Sequence, residues 1–181
     1  GRALKIAWST SKARVRAYMD VDLSTDIRQI PELVGPILDG RADVCFGSRL
    51  LPASRVERCV KREFISRSYN RILQSYLSVH FHDAQCGFKA ISAEAADTLL
   101  PLIQDNEWFF DTELLVLAER MGIASCEFAV RWKEDPGTTV HIIDTVRKDL
   151  AGMKRLKASE GQTGATPTSA YRYPLKQAAD A

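Results

Sequence analysis

Apolar positions recur along this chain with two different periods. Alternating or β-branched stretches at 15–21, 43–47, 86–91 and 124–132 predict strands. Between them, apolar spacings of three and four predict helices over about 2–12, 27–38, 61–79, 93–102, 112–121 and 139–157. Gly35-Pro36, Asp39-Gly40, Leu51-Pro52 and Asp135-Pro136-Gly137 punctuate these elements. Strands alternating with helices imply a layered α/β domain with a mainly parallel central sheet. In the 61–79 helix, Phe64, Ile65, Ile72, Leu73, Tyr76 and Leu77 form one stripe, expected to be buried. From 158 to 181 the sequence turns to Gly, Thr, Ser, Ala and Gln without periodicity, and this stretch reads as a flexible polar tail.

Composition narrows the classes. The chain has 181 residues, 45% hydrophobic and 27% charged, which suits one globular domain and excludes wholesale disorder or a coiled-coil rod. Lys and Arg number 25 against 23 Asp and Glu, so there is no global basic field and no nucleic-acid partner is expected. No apolar run reaches the ~20 residues of a membrane helix. Gly1-Arg2-Ala3-Leu4-Lys5 has no apolar core behind its charges, so no signal peptide is expected. Cysteines 45, 59, 86 and 126 show no C-x-x-C spacing and read as reduced cytosolic thiols, without zinc. Dinucleotide, Walker-type and G-x-S-x-G motifs are absent, which leaves Rossmann oxidoreduction, P-loop hydrolysis and serine-hydrolase chemistry unsupported.

The candidate chemistry begins at Asp20-Val21-Asp22, on the C-terminal end of the first strand, where open α/β sheets place ligands. Two hard carboxylates suit Mg²⁺ or Mn²⁺ completed by substrate phosphates; the alternative is a solvated turn before a helix capped by Thr25 or Asp26. Arg49 ends a second strand. Arg62, Ser66 and Asn70 then recur every four residues on one helix face, roughly opposite the apolar stripe. Such a group fits a phosphate-rich ligand, a solvated basic face or, with Arg55, Arg58 and Lys61, an anionic membrane. His80 and His82 lack a third positioned ligand and read as ordinary polar residues. Asp111 opens an amphipathic helix, as its N-cap or as a catalytic acid. The 139–157 helix is basic and amphipathic, able to lie on an anionic surface or to pack on the sheet.

Taken in order, Asp20-Val21-Asp22, Gly47-Ser48-Arg49, Lys61-Arg62 with Ser66-Arg67-x-x-Asn70, 83–89, 108–115 and Val130-x-Trp132 resemble the inverting family-2 glycosyltransferases. The match is nearest the polyprenyl/dolichyl-phosphate sugar synthases and covers about residues 1–157. It implies a GT-A fold, present as the latter two thirds of the domain, since nothing here corresponds to the family's N-terminal nucleotide-binding segment. It also implies hexose transfer from UDP-glucose or GDP-mannose to a lipid phosphate, peripherally on the cytoplasmic face of a membrane. By resemblance, Asp20 and Asp22 hold Mn²⁺ or Mg²⁺, and Arg49, Arg62 and Ser66 cradle the acceptor phosphate. Gln85, Glu113 and Trp132 contact substrate, and Asp111 and Asp83 are the catalytic acids. Mannose synthases often carry Gln where this chain has Ser24. Two other readings are a family-2 transferase with a saccharide or protein hydroxyl as acceptor, and a truncated, non-catalytic binding module.

Overall fold

The computed structural model describes residues 1–134, 142–159 and 171–172, with the side chains of 142–146 and 171–172 outside the description. The order is α1 (Arg2–Thr10), β1 (Val15–Met19), α2 (Ile30–Leu38) after a short 3₁₀ turn, β2 (Val44–Ser48), β3 (Arg55–Glu57) and α3 (Val60–Leu77). Then come β4 (Phe88–Ser92), α4 (Ala93–Leu99), α5 (Phe110–Arg120), β5 (Ser125–Ala129), β6 (Arg131–Lys133), α6 (Ile142–Ala158) and β7 (Tyr171–Arg172).

Five strands form a mixed sheet in the order β1-β4-β2-β5-β7. β2 runs parallel to β5, and β5 to β7, whereas β4 is antiparallel to both β1 and β2. The sheet keeps the expected parallel strands but carries this one reversed member. Reversal matters for the site. It sets Phe88 beside Met19 and Lys89 beside Phe46, so the turn entering β4 meets the chain leaving β1 and β2. β3 and β6 pair in a separate two-stranded ribbon, and β7 falls within the stretch expected to be a tail.

Strand alternation divides the core. Val44, Phe46 and Ile91 face one side with Trp8, Leu73, Leu77, Phe110, Leu114 and Met153. Cys45, Phe88, Ala90, Cys126 and Phe128 face the other, against Leu33 and Ile37 of α2. The result is three layers: α2, the sheet, and the remaining helices. Edge-to-face rings of Trp8 with Tyr18 and with Phe110 lock α1 and α5 beneath β1.

α3 departs from its expected orientation. Only Asn70, Leu73 and Leu77 are buried, while Phe64 is 72% exposed and Ile72 58%, and Ile65 and Tyr76 are exposed too. Asn70 Oδ1 accepts the Ala84 N–H at 2.9 Å, so the inward face is Asn70 together with Leu73 and Leu77, and the other four apolar residues of the stripe lie outward. α6 takes the packed alternative over its described part, with Asp149, Met153 and Leu156 buried and Arg147, Lys148, Lys154 and Lys157 exposed. Among the described residues no helix is long and apolar enough to cross a membrane.

Candidate active site

Three chain segments converge where β1 and β2 end and β4 begins. β1 stops at Met19, so Asp20 and Asp22 stand on a turn and not on a strand face. Asp22 Oδ1 accepts the Ser24 N–H at 3.0 Å, Leu23 adopts φ 55°, and Val21 points into solvent, 99% exposed. Asp20 is held from behind: its N–H donates to the Gly87 carbonyl at 2.9 Å. A Cβ on Gly87 would stand 2.1 Å from Asp20 Oδ2, so the glycine is the seat of that carboxylate. Burial and then the nearby Asp22 raise the Asp20 carboxyl, with Lys89 opposing them. Two adjacent carboxylates, one seated on a glycine, fit a divalent cation whose remaining ligands come from elsewhere. Among the described residues no group of three or more His, Cys, Asp or Glu side chains forms a metal cage.

Asp83 is not open to substrate. It is fully buried, receives Arg49 Nε at 2.8 Å and Nη2 at 2.9 Å, and also accepts the Arg49 and Gln85 N–H groups. Burial works to raise this carboxyl, but the Arg49 charge and hydrogen bonds outweigh it and hold it at about 2. The pair bears on two of the expected site residues. Asp83 is buried as a brace for the turn, and Arg49 commits one edge of its guanidinium, Nε and Nη2, to it. Beneath it, Glu127, 1% exposed, accepts the His82 and Asp83 N–H groups and bonds the His82 ring at 2.8 Å. His80 pairs likewise with Glu119, so both histidines are ordinary polar partners.

Asp111 lies in the first turn of α5, whose N-cap is Phe109. Its Oδ1 accepts the Tyr18 hydroxyl at 2.5 Å and sits 3.5 Å from Lys89 Nζ. Lys89 is wholly buried, donates to the Cys86 carbonyl at 2.6 Å and lies over the Tyr18 ring at 6.0 Å. Tyr18 and Lys89 were not singled out as site residues. Their strand register, side by side on β1 and β4, is a tertiary fact. Burial, and then Asp111, raise the Tyr18 hydroxyl far above its ordinary range, so it remains a donor.

Around this centre, Gln85 Nε2 donates to Asp149 Oδ2 of α6 at 3.1 Å, a contact that sequence reading missed. Trp132 lies under the guanidinium groups of Arg49, at 5.6 Å, and Arg58, at 5.9 Å. Arg62 faces Glu134, and Ser66 is half-buried one turn further along. Glu113 does not belong here. It is buried, accepts the Gln104 and Asp105 N–H groups and pairs with Arg155 at 2.9 Å, anchoring α6 and the loop before α5. It stands three positions along α5 from Phe110, on the inward face.

These strand ends, carboxylates and arginines gather at one end of a sheet whose fold is that of the GT-A glycosyltransferases. Glucosyl-3-phosphoglycerate synthase from Mycobacterium tuberculosis, solved with uridine diphosphate, superposes with a TM-score of 0.56 at 18% identity, covering 86% of this chain and 54% of that one. In sequence, the chain is similar to glycosyltransferase AglD of Haloferax volcanii, 39% identical over 153 residues. That alignment covers 84% of this chain and 24% of AglD. Human dolichyl-phosphate beta-glucosyltransferase is 36% identical over 153 residues, covering 76% of this chain and 45% of the enzyme. No protein-family model matches the chain. The chain is thus similar in sequence to named glycosyltransferases, and spans less than half the length of either relative.

Proposed function

We propose that this chain carries the acceptor-side part of an inverting transferase that moves a hexose from a nucleotide-diphosphate sugar to a polyprenyl or dolichyl phosphate. The observation that carries the reading is the seating of Asp20 on Gly87, beside Asp22 and within the same strand-end cluster as Lys89 and Asp111. Asp20 and Asp22 are the residues to hold Mn²⁺ or Mg²⁺, which when bound supplies positive charge for a departing nucleoside diphosphate. UDP-glucose is the favoured donor, because several relatives are named glucosyltransferases.

The chain's own groups fit such a transfer. An acceptor phosphate monoester has a second pKa of ~6 and is already a nucleophile at neutral pH. It needs no base, and Asp111 is built as a fixed acceptor: Oδ1 is taken by Tyr18 and Lys89, which leaves Oδ2 to orient a hydroxyl. Arg62 and Ser66 hold the acceptor phosphate, and Arg49 sets the shape of the turn through Asp83. The bond from the acceptor oxygen to the sugar C1 forms as the C1–oxygen bond to the diphosphate breaks, which inverts the configuration.

Membrane contact, on the cytoplasmic face, is assigned to α3. Phe64, Ile65, Ile72 and Tyr76 stand exposed among Lys61, Arg67 and Arg71, a combination suited to an anionic interface. The first test is calorimetric titration of the chain with UDP-glucose and GDP-mannose, each with and without Mn²⁺. Mn²⁺-dependent binding of one donor, lost in Asp22→Asn, is expected. Binding that ignores both the metal and Asp22 removes the reading.

A further inference from the structure

The cation that an acceptor phosphate needs is already engaged by another group. Arg62 Nη1 lies 2.5 Å from Glu134 Oε1. The other oxygen of the same carboxylate, Oε2, accepts the Cys59 N–H at 3.1 Å, across 75 positions of sequence. Cys59 precedes α3, which has no side-chain cap of its own. Glu134 is brought there by the ribbon: Glu57 pairs with Lys133, and the Glu134 N–H donates to the Glu57 carbonyl at 2.9 Å. Its side chain is 18% exposed and that of Arg62 42%, so solvent reaches the pair and its exchange disturbs no core. Two residues back, Trp132 joins this corner to Arg49 and Arg58.

We propose that Glu134 is a specificity-determining residue, an internal anion that reserves Arg62 for phosphate monoesters. The inference rests on the reading that Arg62 and Ser66 hold the acceptor phosphate. Its logic is competition between charges. A phosphate monoester carries about −1.5 to −2 at neutral pH. The phosphodiester head groups that crowd a bilayer carry a single charge, the same as Glu134. A tethered carboxylate, present at high effective concentration, holds the arginine against a singly charged diester and yields to the more highly charged monoester. An uncovered arginine at a membrane would be filled by bulk lipid. Discrimination here comes from an element placed against the wrong ligand as much as from contacts to the right one.

The test uses vesicles of phosphatidylcholine carrying phosphatidic acid, a monoester, or phosphatidylglycerol, a diester, with co-sedimentation of the whole chain. The unaltered chain is expected to prefer phosphatidic acid. Glu134→Gln, which keeps an acceptor for the Cys59 N–H, is expected to cut that preference about fivefold or more, chiefly by gaining phosphatidylglycerol binding. Arg62→Ala added to Glu134→Gln abolishes the gain. Inorganic phosphate should displace the chain from phosphatidic acid vesicles; if it does not, the bilayer and not the phosphate is being held, and the proposal falls. It falls equally if Glu134→Gln leaves the preference unchanged, if the gain survives Arg62→Ala, or if no variant binds vesicles. Mn²⁺-dependent UDP-glucose binding should be the same in Glu134→Gln and the unaltered chain. Its absence from both would sink the transferase reading without altering the vesicle result.

Discussion

Removing the charge of Asp83 is the sharpest test of how the site is held. Asp83→Asn keeps the shape of the side chain but leaves the Arg49 guanidinium, whose side chain is 14% exposed, without its counter-ion. A carboxyl that titrates at about 2 in the folded chain and at 3.8 when unfolded contributes about 2.5 kcal/mol at neutral pH, at ~1.36 kcal/mol per pH unit. Breaking a buried ion pair by removing one partner costs roughly 3–5 kcal/mol in all, and the titration figure lies near the lower end of that range. The expected loss is therefore about 3 kcal/mol at pH 7. The folded carboxyl is depressed, so its contribution is complete above the unfolded value and is lost as pH falls toward the folded one. Urea unfolding of both proteins from pH 7 down to pH 3 measures it. The difference should be constant above about pH 5 and shrink below pH 4. A loss under about 0.5 kcal/mol at pH 7, or one independent of pH, would refute the claim that a charge pair braces this turn.

Two further outcomes are expected. Gly87→Ala puts a methyl where Asp20 Oδ2 sits, 2.1 Å from the new Cβ, so Mn²⁺-dependent donor binding should fall about tenfold or more while the thermal midpoint moves little. An unchanged titration would mean that Asp20 does not use this seat. His82 is raised by its hydrogen bond to Glu127, with burial opposing, so its stabilisation is complete below pH 6.5 and lost as pH rises through the raised value. His82→Gln should therefore cost more at pH 6 than at pH 9 in urea titrations, and an equal cost at both would sever the link to Glu127.

Most elements could be read from the chain because their signals are local. Among the described residues, apolar period and breakers found the six helices and four sheet strands to within a few residues, but the single strand expected over 124–132 is two, β5 and β6, in different sheets. β3 escaped because three residues carry no period, and the pairing of Tyr171–Arg172 lies in a stretch whose composition signals no structure. The acids and arginines pointed to a divalent cation and phosphate, sugar chemistry was implied only by the family resemblance, and Asp20, Asp22 and Asp111 do gather at one end of the sheet. The partners of those residues were illegible. Nothing in the sequence said that Asp83 would be consumed by Arg49, that Glu113 would face α6, or that Glu134 would reach Arg62 across the ribbon.

α3 shows where the division falls. Its amphipathic pattern was plain in sequence and fixed that a helix forms there. Which face turns inward was decided by Leu73 and Leu77 entering the core and by the buried amide of Asn70, which answers a backbone N–H that would otherwise be buried without a partner. Periodicity is a property of neighbours three and four residues apart, and the chain alone determines it. Burial, charge pairing and the reversed β4 depend on groups dozens of residues distant, whose energies count only once the sheet has brought them together.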